Sequence, residues 1–143
     1  ALNPTPDPAA SGKLRGRWDI AWTTEAELLF LTKRGFFGLP CSAAYQLIST
    51  DPDSGVSSIS NRIEFADAAD STGELIVGSS CDPAAIGGRV DFRFASCVAR
   101  WRTLELPLPP VGTGWFEVLY LDDEMRIARD SRGDLQVCRR GRV

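Results

Sequence analysis

From Arg17 onward the chain alternates apolar and polar positions in short runs, each closed by Gly, Pro, Asp or Ser. A two-residue period marks strands that bury one face. In the first run Trp18, Ile20 and Trp22 share a face while Arg17, Asp19 and Ala21 take the other. Residues 24–34 break the alternation: Thr24 stands at an N-cap position, Glu25 and Glu27 fill the first turn, and Lys33 and Arg34 close the last before Gly35. Acid at the start and base at the end complement the helix dipole, so one short helix is predicted after the first strand. Further strands are predicted over 44–50, 57–65, 73–79, 89–98, 100–106, 115–121, 125–129 and 134–138. Roughly eight to ten strands with hairpin-length links suit an all-β antiparallel barrel, because a parallel sheet would need a crossover helix for each strand pair. A barrel of that size is either filled by side chains or wide enough for one small ligand.

Residues 1–12 carry Pro4, Pro6 and Pro8 among small residues and read as an extended arm, with 13–143 as the folded domain. The start at Ala1 leads us to expect a targeting leader upstream. No apolar run approaches the ~20 residues of a membrane span; the richest covers 26–31.

Composition removes whole classes of chemistry. There is no histidine, hence no Ser-His-Asp or Cys-His nucleophile system and no imidazole metal ligand. We therefore expect no catalytic residues, no metal and no required cofactor. With 16 basic against 19 acidic side chains, the net charge of −3 makes nucleic acid a poor partner. Cys41, Cys81, Cys97 and Cys138 form no CxxC pair and read as small apolar side chains, with a bridge left open. Asp122, Asp123 and Glu124 read as a solvated turn between strands, and Gly112-Thr113-Gly114 lacks the Lys and helix of a phosphate loop.

The aromatic inventory is the candidate binding surface. Trp22, Tyr45, Phe65, Phe92, Phe94 and Tyr120 either line one apolar cavity or pack as an ordinary core. Asn61, between Ile59 and Ile63, is a polar group on an apolar face; it meets a ligand head group or ties down a neighbouring strand. Leu28, Leu29, Phe30 and Leu31, followed by Phe36 and Phe37, are unusually apolar for a connection and are candidates for contact with a membrane or a protein partner. Arg139, Arg140 and Arg142 form a small basic tail suited to an anionic surface.

Two strings carry a resemblance. GRWDIAWTT, residues 16–24, resembles the Gly-x-Trp opening of lipocalin-type barrels, and YLDDEMRIARDSRGDLQVCRR, residues 120–140, resembles the C-terminal signature of the plastid lipid-associated proteins, or plastid fibrillins. AAYQLIS, SNRIEF, GRVDFRFAS and LPLPPVGTGWFEVLYLDD fall between them in that family's order, so the likeness covers roughly residues 13–139. It implies a lipocalin-like barrel in the chloroplast, peripheral to thylakoids or plastoglobules, binding a lipid, quinone or carotenoid without enzymatic activity. It also leaves room for an accessory subunit docked on a photosynthetic membrane complex. In the resembled family a basic side chain of a C-terminal strand lies over the first tryptophan; here that implies a barrel-closing pair of Trp18 with Arg126, or failing that Arg129. The segments 24–40 and 66–70 depart from the commoner pattern, so ligand identity does not carry over.

Overall fold

A computed structural model describes residues 3–35, 39–51, 53, 55–66, 72–109 and 112–142. The strands are β1 (Gly16–Thr23), β2 (Cys41–Asp51), β3 (Gly55–Ala66), β4 (Thr72–Pro83), β5 (Arg89–Trp101), β6 (Leu104–Leu108), β7 (Thr113–Leu121), β8 (Met125–Asp130) and β9 (Leu135–Arg140), with one helix, α1 (Ala26–Arg34), after β1. All pairings are antiparallel. The strand order β4-β3-β2-β1-β9-β8-β7-β5, with β4 also paired to β5, closes a ring of eight; β6 lies outside it. The all-β barrel with a single helix after the first strand is therefore the observed architecture.

The ring is uneven. β2 to β5 are 11–13 residues long whereas β8 and β9 have 6 each, so the wall is tall on one side and low on the other. β5 joins β7 only over Arg89–Arg93; beyond that, the same edge from Cys97 to Trp101 pairs with β6. Above Phe94 the seam is thus unzipped, and β6 continues the β4–β5 face outward.

Two cores fill the ends. At the base Trp18, Val56, Val90, Leu121 and Cys138 pack with Ala9 and Leu14. At the tall end Leu39, Ile63 and Phe65 pack beneath Leu28 and Leu31 of α1. The N-terminal stretch expected as an extended arm instead makes two 3-10 turns, Pro8–Ala10 and Gly12–Leu14, under the base. Pro suits the first position of such a turn. The stretch is held by a bond from the Thr5 hydroxyl to the Leu121 carbonyl at 2.5 Å and by the Gly87 N–H to Asp7 Oδ1 at 2.8 Å. Gly55, at φ +88°, makes this fit possible: a Cβ there would stand 2.6 Å from the Ala9 carbonyl oxygen.

Thr24 does not cap α1. Its hydroxyl donates to Asp134 Oδ1 at 3.0 Å and accepts from the Leu135 N–H at 2.8 Å, which pins the helix start to the entry of β9. Glu25 holds the N-cap position and its side chain makes no capping bond. All four cysteines are free thiols. Among the described residues no helix is long and apolar enough to cross a membrane, and no cluster of acidic or Cys side chains is placed to hold a metal.

Candidate functional site

Between the two cores lies a cavity of about 270 Å³. Inward-facing positions of the strands supply its apolar wall: Ile20 on β1, Ile59 and Ile63 on β3, Phe92 and Phe94 on β5, and Phe116 on β7, with Leu28 and Leu31 of α1 above. The phenyl rings form one surface, Phe92 to Phe94 at 5.4 Å between centroids and Phe92 to Phe116 at 6.3 Å. Gly114, opposite Phe92 on β7, leaves room for that surface; a Cβ there would stand 2.7 Å from the tip of the Phe92 ring.

The floor is polar. Arg126 is 1% exposed and donates from Nη2 to Gln46 Oε1, to Gln136 Oε1 at 2.9 Å and to Cys138 Sγ at 3.2 Å. Each amide passes the contact on: Gln46 Nε2 donates to Asn61 Oδ1 at 2.6 Å, and Gln136 Nε2 to Glu25 Oε2 at 3.3 Å. At the rim Glu25 stands with Asp130 and Asp134. Burial first, and then the charge of Asp130, holds the Glu25 carboxyl above the usual range.

Four of the seven side chains proposed to bind a ligand border this cavity: Tyr45, Asn61, Phe92 and Phe94. Only Asn61, Phe92 and Phe94 face inward. Tyr45 is paired with Asp19 and Arg62, positions on the outer face; its ring lies 3.8 Å beneath the Arg17 guanidinium and its hydroxyl donates to Glu64 at 2.8 Å. Asn61 borders the cavity, and its Oδ1 accepts from Gln46 Nε2, which ties β3 to β2.

Trp22 and Tyr120 are turned outward by β-bulges. The pairing of β1 with β9 slips between Ile20 and Trp22, and that of β7 with β8 between Val118 and Tyr120. One extra residue inverts the side-chain alternation beyond it. Trp22 is consequently 53% exposed, and Tyr120 donates its hydroxyl to Asp122 at 2.7 Å instead of entering the barrel. Phe65 faces inward but belongs to the packed end beneath α1.

At the base two guanidiniums lie over the Trp18 indole. Trp18 is wholly buried, its indole N–H donating to the Leu14 carbonyl at 2.8 Å, and the Arg126 guanidinium lies 5.4 Å from its ring centroid. A second cation, Arg140, lies nearer at 3.9 Å. Arg140, part of the basic tail by sequence, donates to the carbonyls of Lys13 and Arg15 at 2.5 Å each and of Asp123 at 3.2 Å. Arg139 and Arg129 are exposed. Of the apolar connection, Leu29 is half-buried and Phe30 62% exposed, while Phe36 and Phe37 lie outside the described residues.

The sequence reading missed Phe116, Gln46 and Gln136. A signal existed for each: Phe116 alternates with Val118, and the two amides sit on the same face as Ile48 and Cys138 respectively.

With this geometry in hand, the PAP_fibrillin family model matches residues 1–139. The chain belongs to the PAP/fibrillin family. It is 43% identical over 122 residues to probable plastid-lipid-associated protein 11, chloroplastic, of Arabidopsis thaliana, an alignment covering 85% of this chain and 53% of that protein. The chain thus spans about half the length of the curated relative it matches. No solved structure matches it significantly. The fibrillin match takes in the N-terminal stretch that folds under the barrel, in keeping with its buried Pro8 and Ala9.

Proposed function

We propose that this fibrillin is a non-enzymatic plastid protein that holds an apolar molecule, a lipid, quinone or carotenoid segment, inside its barrel. The observation that carries the reading is the cavity itself: about 270 Å³ walled by Ile20, Ile59, Phe92, Phe94 and Phe116, with a few polar groups gathered at the floor. That combination of apolar wall and sparse, placed polar groups is what small-molecule pockets share. The plastid setting rests on the name of the Arabidopsis relative.

Peripheral attachment to a thylakoid or plastoglobule surface is the accompanying proposal. Leu104, Leu106 and Leu108 on β6 are 65%, 60% and 37% exposed, and they share the face of Trp101, Ala99 and Cys97, with which they pair. An apolar strip continuous with the barrel interior is suited to lipid contact. The accessory-subunit alternative draws on the same strip, with a membrane complex as partner.

Extraction of the native protein followed by mass spectrometry of what co-purifies tests the reading. A stoichiometric apolar molecule, lost from Phe92→Ala/Phe94→Ala protein that still folds, is the expected result. A reproducible protein complex with an empty barrel would transfer the function to the platform alternative.

A further inference from the structure

Arg126 is a buried cation that pairs with no anion among the described residues: no carboxylate of theirs lies within ion-pair distance of it. Among the described residues its three acceptors all crowd onto Nη2, and Nε and Nη1 have neither an acceptor nor accessible surface, so a ligand oxygen reaches them only when the side chains at the floor shift to admit it. Those two nitrogens carry three of the guanidinium's five N–H groups. A buried charge with unmade hydrogen bonds is costly, and a site retains one where something else completes it. Gln46 and Gln136, the neighbouring amides, both turn their carbonyl oxygens to the same nitrogen, so the protein supplies no further acceptor from either.

Building on the ligand-holding reading above, we propose that the cavity takes a single-chain amphiphile with a carboxylate head, seated head-down on Arg126 with its chain against Phe92, Phe94 and Phe116. Three features select that chemistry. One carboxylate matches one guanidinium in charge and offers two acceptor oxygens, whereas an alcohol, ester or quinone carbonyl brings no charge. The volume lies just below the ~300 Å³ at which small-molecule pockets usually begin, which suits one chain better than two. The rim carries Glu25, Asp130 and Asp134, so an anionic head is repelled from the mouth and attracted to the floor, which fixes a single orientation.

The test is a set of binding titrations of the purified chain with dodecanoate, dodecanol and methyl dodecanoate at pH 8, by displacement of a fluorescent apolar probe. Dodecanoate is expected to bind at least about tenfold more tightly than either neutral analogue. Arg126→Gln should abolish the preference while keeping the dodecanol affinity. Should that variant fail to fold, the wild type answers alone: the carbonyl resonance of 13C-carboxyl dodecanoate must titrate at a lower pH bound than free. Equal affinity for the three compounds, or a bound carboxyl that titrates no lower than the free acid, overturns the seat on Arg126 but leaves the cavity reading standing. Absence of binding by all three, together with native protein that carries no apolar molecule, overturns both.

Discussion

Arg140 stands closer to the Trp18 indole than Arg126 does, 3.9 Å against 5.4 Å from the ring centroid. The two guanidiniums have different work. Arg126 faces the cavity floor, whereas Arg140 reaches from β9 to the carbonyls of Lys13 and Arg15 and so clamps the N-terminal turns across the base.

Replacing Arg140 by Ala removes a cation–π contact of ~0.5–2 kcal/mol and hydrogen bonds of about 1 kcal/mol each. With three such bonds the expected loss is about 3–5 kcal/mol, read as a lower urea midpoint. Arg139→Ala, at an exposed position one residue away, should stay within ~0.5 kcal/mol. Equal effects from the two changes would show that Arg140 is no clamp.

The outward turn of Trp22 yields a second expectation. Acrylamide should quench Trp22 and spare Trp18, which is 0% exposed. Trp18→Ala should cost about 3–5 kcal/mol, as for other buried aromatics, and Trp22→Ala under ~1 kcal/mol. If Trp22 is the protected indole, the bulge in β1 is misplaced.

That bulge also marks where the sequence stops being legible. The barrel, its helix and the inward set Trp18, Ile20, Phe92 and Phe94 follow from alternation alone, because each lies before the register shift on the strand that carries it. Trp22 and Tyr120 were misread because a bulge adds one residue without any change of composition, and Ala21 and Leu119 look like ordinary strand residues. In β2 the large Tyr45 drew the reading to the wrong face, although Ala44, Gln46 and Ile48 form the inner one. Arg140 was hidden for another reason: its partners are backbone carbonyls more than a hundred residues away, and no side-chain pattern encodes them.

Glu25 gives the barrel a pH-dependent component of defined sign. Burial and then Asp130 raise its carboxyl above the ordinary 4.5, so the folded state binds this proton more tightly than the unfolded chain. Its contribution to stability is present below the unfolded value and is lost as pH rises through the folded one. Glu25→Gln should therefore gain stability relative to wild type between pH 5 and pH 8, measured by urea midpoints at both. Asp122 provides the opposite case. The Tyr120 hydroxyl, followed by the N–H groups of Glu124 and Met125, holds its carboxyl below the ordinary 3.8. Its contribution is present above that value and lost only as pH falls through the depressed one, so Asp122→Asn should show no change in its effect from pH 5 to pH 8.

The β6 leucines separate surface attachment from ligand holding. Leu104 and Leu106 pack against little in the folded chain, so Leu104→Ser/Leu106→Ser should change stability by less than ~1 kcal/mol. Burial of a leucine side chain in lipid is worth ~1.5–3 kcal/mol, and two of them set a partition difference of about a hundredfold or more. Sedimentation with neutral-lipid vesicles should therefore lose the double variant while its barrel retains whatever apolar molecule it holds. If both variant and wild type sediment alike, the strip is not the membrane-facing surface, and attachment must pass to Phe30 on the exposed side of α1, where Phe30→Ser should then release the protein.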